Sequence, residues 1–234
     1  MCRAHGLSEG VRGPRAWTSP RRTPLYYPDA VTLTADAEAR DVLDGIDRTT
    51  PGASVKDSLA RLDLAPEGFR LLFEAQWIHR PAGLPDRAAD AGAAAYRPAG
   101  LPDRAADAGA AAYRPVRTPG ELAAWTLAWS GGDADEAALF RPELLDDPAT
   151  TIVAGHAFDG RILGGAVLTT SPRVTGVSNL FTADGVPASA AWSGVLTVAD
   201  PALPLVGYES GDDLDAALAA GFEAIGPLRV WLDA

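Results

Sequence analysis

Cysteine is all but absent from this 234-residue chain. Cys2 stands alone, which excludes an internal disulfide and any thiolate cage for a metal, and it fits a reducing, cytoplasmic setting. Lysine is equally scarce: Lys56 is the one lysine among 20 basic residues, a bias that a GC-rich genome produces. No apolar run approaches the roughly 18 residues a membrane span needs. Positive charge is also short. The net charge of −11 makes nucleic acid and anionic membrane poor partners, because an acidic body repels phosphate groups. Phosphate-binding loops, dinucleotide fingerprints and Gly-x-Ser-x-Gly elbows are all missing. His5, His79 and His156 have no metal-ligand spacing, so no metal site is expected.

Hydrophobic residues make up 47% of the chain and mean hydropathy is near zero, enough for a core. Residues 1–24 hold five arginines against Glu9 alone, with Gly and Pro interrupting any helix. They read as a disordered tail, with an upstream start codon as one origin, and not as a targeting address. Residues 25–79 read as an α/β subdomain: a strand over 26–33, a short helix over 37–46 and a mostly buried strand over 69–78. Residues 54–64 read equally as strand or helix, and Lys56-Asp57-Ser58 as a solvated turn. Residues 80–96 and 97–113 are the same 17 residues twice, RPAGLPDRAADAGAAAY. Two units are too few for a solenoid, so 80–113 reads as a linker or tolerated insertion, with a spacer or docking helix as the alternative.

From residue 112 the pattern is denser. A strand over 112–116 precedes Thr118-Pro119-Gly120-Glu121, a helix start with Thr as cap, Pro first and Glu closing the box. Leu122, Trp125 and Trp129 share one face of that helix, and a helical turn follows at 142–146. Runs 151–158 and 161–170 flank Asp159-Gly160, which predicts a hairpin with a type I′ turn. A strand over 174–181, a helix over 188–198 and a strand over 203–208 come next. Ser210-x-x-Asp213 predicts a capping box for a helix over 212–220 with Leu214 and Leu218 inward, and Gly221 sits at its left-handed end.

This order, closing on Ala219-Ala220-Gly221-Phe222 and Ile225-Gly226-Pro227, resembles the GCN5-related N-acetyltransferases, and the ending is shared with a group of actinobacterial proteins. The resemblance implies an α/β fold with a mixed, mainly antiparallel sheet flanked by helices over residues 112–234, and acetyl-CoA as the acyl donor to a small-molecule or protein amine. In that family a Gly-rich loop after the fourth strand holds the cofactor's pyrophosphate. Here residues 182–188 read TADGVPA, with one glycine, an acid and a proline. The family's tyrosine on the last helix corresponds to Ala217. The resemblance leaves Glu209 as candidate base and Tyr208 as candidate acid. Ser178, Asn179, Phe181, Gly185 and Ala188 are the candidates along the cofactor's path. The competing assignment has Tyr208 packing its ring and Glu209 satisfying helix amides.

Two functions follow. One is an acyl-CoA-dependent N-acetyltransferase of an amine. The other is a binding or scaffolding module that kept the fold and lost the pyrophosphate loop. A third expectation is that the N-terminal half is a reduced copy of the same fold, since 59–78 and 216–232 run through the same order of segments.

Overall fold

The computed structural model describes residues 2–7, 9–84 and 112–234, so most of the tandem repeat lies outside the described residues. The chain divides into two compact units, residues 1–77 with 225–234, and residues 78–224. It passes from one to the other inside two long strands, β5 (Phe69–Arg80) and β11 (Glu223–Asp233).

In the first unit the strand order is β1 (Val11–Arg12), β2 (Ala16–Thr18), β3 (Ala30–Thr32), β4 (Ser54–Asp57), then β11 and β5. β3 and β4 are parallel, and β11 runs antiparallel to β4 with Trp231 opposite Val55. Ala16, Ala30, Val55, Leu64, Phe69 and Trp231 form its core beneath the helix α1 (Ala39–Leu43), which contributes Val42.

The basic segment read as a disordered tail is therefore structured. It supplies β1 and β2, with Ala16, Thr18 and Ser19 buried. Its arginines find acids further along the chain. Arg15 lies 3.1 Å from Asp36, and Arg22 lies 3.1 Å from the buried Asp29, whose carboxylate also accepts from the amides of Thr23 and Ser54.

The expected solvated turn at Lys56 is likewise a strand. Asp57 is buried and accepts from Leu62 N at 2.7 Å, while Lys56 Nζ stands 5.6 Å from the centre of the Trp77 ring. Burial pushes the Lys56 pKa down to about 8. Residue Arg229 donates to Glu74 at 2.7 Å. Strand β5 departs from its expected burial: Phe69, Ala75 and Ile78 are inside, but Leu71, Leu72 and Phe73 are exposed.

The second unit has the order β10 (Leu205–Glu209), β9 (Thr175–Thr182), β8 (Ile162–Thr170), β7 (Thr150–His156), β6 (Ala112–Pro115). Pairing is antiparallel except between β9 and β10, so the class is α/β with mixed, mainly antiparallel strands. Helix α2 (Pro119–Trp129) forms for the reason the sequence gives: Thr118 Oγ1 accepts from Glu121 N, and Glu121 Oε2 accepts from Thr118 N. It buries Trp125, whose Nε1 donates to Val153 O at 2.9 Å and whose ring meets Phe140 and Phe181 edge-on. A single helical turn, α3 (Ala134–Ala137), follows, capped by Asp133.

The β7–β8 hairpin closes differently from a type I′ turn. Gly160 N donates to Ala157 O and Ala157 N to Arg161 O, and positive φ falls on Gly160 alone among these turn residues. This is a four-residue turn followed by a bulge, set by Phe158 and Asp159 remaining right-handed.

Helix α4 (Ala188–Val198) crosses from β9 to β10, and α5 (Gly211–Ala219) leads from β10 to β11. The predicted Ser210 cap is not made, since the Ser210 side chain accepts no amide. At the other end Gly221 N donates to Leu218 O and Phe222 N to Ala217 O, the two bonds of a Schellman close with Gly221 at φ 89. Ala217 rather than Leu218 is buried, because the helix turns its small side toward α4, and Leu218 is exposed.

Tyr113, the last residue of the repeat, is a structural side chain of β6. A Cβ added at Gly194 or Gly155 would fall inside its ring. Gly194 sits mid-helix, where Gly→Ala ordinarily stabilises by about 1 kcal/mol. We expect Gly194→Ala to destabilise instead by about 1–3 kcal/mol, measured by urea melts, with Tyr113→Ala restoring part of the loss. A Gly194→Ala variant as stable as the parent would disprove the slot.

Candidate functional site

The strand β9 runs beside β8 and β10 and departs from regularity twice. Against β8, Val167 pairs with Ser178 but Gly165 pairs with Phe181, so β9 carries an extra residue between those pairs. Asn179 takes it up with φ 53, a left-handed conformation unusual for a side chain other than glycine. Such a bulge leaves a backbone donor and acceptor out of the ladder. Against β10, parallel pairing is confined to Leu205↔Thr175 and Val206↔Gly176. Gly207 still lies close, since an added Cβ would stand 3.0 Å from Val177 O. Beyond it β10 continues to Glu209, and β9, still paired with β8, continues to Thr182, but the ladder between β9 and β10 has ended.

Tyr208 and Glu209 occupy the parted end of β10. Being consecutive in a strand, they face opposite sides of the sheet. Glu209 is half-buried, and its pKa is pushed up to about 7, by burial first and by the Asp213 carboxylate second. Burial also raises the Tyr208 hydroxyl, with Glu209 adding to the effect, so the phenol is protonated at neutral pH. Asp213 was marked in the sequence as a capping acid; its carboxylate adds to the upward shift of Glu209.

The remaining candidates fall into two groups. Ser178 is exposed and Asn179 lies at the bulge, both along the opening. The Phe181 side chain turns toward α2, 5.3 Å from the Trp125 ring centre, and does not contribute to the opening. Gly185 and Ala188 belong to the stretch between β9 and α4. There Gly185 has φ 78 with open space around it, Asp184 is exposed, Val186 N donates to Ala183 O at 3.0 Å, and α4 begins after Pro187 with no side-chain cap.

That stretch fits a pyrophosphate poorly. Of its amides one is spent within the loop, Pro187 has none, and the nearest charge is a carboxylate.

The position of the family's tyrosine is accounted for by packing. Ala217 is fully buried in one cluster with Trp192 and Phe222, whose rings stand 4.6 Å apart. The indole occupies the room between α4 and α5, so only a small residue fits at 217. Tyr113 is a second polar group that sequence reasoning missed: its hydroxyl is buried without a hydrogen-bond partner, and burial lifts its pKa to about 12. No sequence signal marks it. Among the described residues no group of three or more His, Cys, Asp and Glu could hold a metal, and no helix is long and apolar enough to cross a membrane.

No family model and no curated protein matches the chain by sequence. Solved structures do match in shape. A functionally unknown conserved protein from Staphylococcus epidermidis superposes with TM-score 0.61 at 10% identity, covering 96% of this chain and 94% of its own. A GCN5-related N-acetyltransferase from Kribbella flavida gives TM-score 0.59 at 14% identity over 98% and 91%. A putative acetyltransferase of the same family from Novosphingobium aromaticivorans gives 0.53 at 13% identity over 95% and 89%. These matches take in nearly all of the chain, so the likeness is not confined to its C-terminal half. At such identities they speak for fold, and the chain has the fold of the GCN5-related N-acetyltransferases.

Proposed function

We propose that this protein is an N-acyltransferase that moves an acyl group from a thioester to an amine, the acetyl group of acetyl-CoA being the reference donor. The observation that carries the reading is the opening between β9 and β10, with the Asn179 bulge on one side and Glu209 on the other. Fold alone does not supply an activity, so the weight rests on this geometry.

In the reaction the amine nitrogen attacks the thioester carbonyl carbon. A cationic amine first gives one proton to solvent; the N–C bond then forms, the C–S bond breaks, the second proton of the nitrogen passes to the Glu209 carboxylate, the thiolate takes its proton from the Tyr208 hydroxyl, and the Glu209 proton returns to the phenolate through solvent. The bulged backbone of β9 aligns the donor arm, and alignment of this kind supplies much of the rate. Glu209 is suited to its part because a base poised near neutrality is available yet strong enough to take a proton. The acid surplus of the chain favours a cationic amine by steering.

A second reading, a non-catalytic binding module, draws on the poor fit of the 183–187 loop to a pyrophosphate. Both readings meet in one assay. The full chain is mixed with an acetyl thioester and a panel of cationic amines (polyamines, aminoglycosides, peptides), and thiol release is followed alongside amide formation. Release in step with an amide supports transfer. Release no faster than the uncatalysed background with every amine overturns it in favour of the binding module.

A further inference from the structure

The stretch around the end of the β9–β10 ladder offers the nucleotide end of coenzyme A no cationic side chain. From Val174 to Leu228 the chain contains no Arg, Lys or His and seven carboxylates. This stretch supplies β9, the following loop, α4, β10 and α5, which surround the opening. Arg161 precedes by two residues the Leu163 carbonyl that receives Ala183 N, but it lies 3.7 Å from Asp159, which offsets its charge. A diphosphate placed at the 183–187 loop would meet Asp184, a spent Val186 amide and the ring of Pro187. Exposed phosphates in an acidic setting are repelled, and salt weakens that repulsion.

We infer that the protein recognises its acyl donor through the pantetheine arm alone, so that nucleotide-free pantetheine thioesters are its preferred donor class. This rests on the acyl-transfer reading above and specifies the donor for the same site. The neutral arm lies along the bulge at Asn179 and takes main-chain hydrogen bonds, which carry no charge requirement.

The test compares acetyl-pantetheine with acetyl-CoA in the transfer assay and, separately, pantetheine, CoA and adenosine 3′,5′-bisphosphate as stabilisers in thermal melts of the full chain. Expected is a kcat/KM for acetyl-pantetheine at least equal to that for acetyl-CoA, to within about threefold. A KM for acetyl-CoA that falls as salt is raised, a melting shift with pantetheine and none with the bisphosphate are expected with it. Asp184→Arg, at an exposed position, is expected to improve acetyl-CoA about tenfold and leave acetyl-pantetheine unchanged.

Preference for acetyl-CoA by more than about threefold, or competition by the bisphosphate, would overturn the inference. If neither thioester is turned over, the transfer reading fails; a pantetheine shift exceeding that of CoA would then still uphold the donor specificity, and equal or absent shifts would overturn it.

Discussion

Replacing Glu209 by Gln is expected to lower the rate of acyl transfer by about 10²–10³-fold and to abolish its pH dependence near neutrality. The parent chain holds this carboxyl at about 7, through burial and then Asp213. Its rate should therefore climb as pH rises through about 7 and level off once Glu209 is ionised. The glutamine variant has no such group and should show a flat profile over the same range. A variant that is slow but keeps the inflection would assign the base elsewhere. Stability should move in the opposite sense. In the unfolded chain the carboxyl has its ordinary value near 4.5, and the raised folded value means the native state holds the proton more tightly between the two. The contribution of this group is thus full below about 4.5 and lost as pH climbs through about 7. Freed from that loss, Glu209→Gln should be more stable than the parent at pH 8 by about 1–2 kcal/mol, allowing for water at the half-buried site. The gap should close as pH falls below about 4.5.

The second large effect concerns the space between α4 and α5. Trp192→Ala removes a fully buried indole and should cost about 3–5 kcal/mol, lowering the midpoint of thermal unfolding by roughly 10 °C for a chain of this size. Installing the tyrosine that relatives of this fold carry, by Ala217→Tyr, forces a ring into a cluster already filled by Trp192 and Phe222. That should cost about 1–3 kcal/mol and bring no gain in rate. Combined, the two substitutions should cost less than their sum, since the new ring takes the room the indole leaves. An Ala217→Tyr protein that is as stable as the parent and faster would show that position 217 is an acid site left empty rather than a packed one.

Much of the second unit was legible because its signals are local. Periodicity and turn chemistry fix α4 at Ala188–Val198, the turn at Pro142–Asp146, the Thr118 capping box and the Gly221 close, and each is found in place. What escaped depends on partners distant in sequence. The basic segment before residue 24 looks unstructured in a window, yet Arg22 reaches Asp29 and β2 lies against β3. An apolar run such as Phe69–Ile78 does not reveal which of its residues lack cover, and Leu71 to Phe73 do. The same holds for the candidate site. Tyr208 and Glu209 are visible as residues, but the Asn179 bulge and the early end of β9–β10 pairing are properties of register between strands. Residues 85–111, most of the repeat read as a linker or tolerated insertion, lie outside the described residues.

The pairing of β11 with β4 has a consequence for synthesis on the ribosome. Val55 and Lys56 must wait for Trp231 and Val230 before their strand is paired on that side. By then the whole of residues 78–224 has been translated. The segment that holds β4 therefore cannot mature in order of emergence. The second unit has every strand of its own β6–β10 set available earlier, which makes it the natural template in nascent chains and leaves β4 the strand most in need of protection until elongation reaches β11.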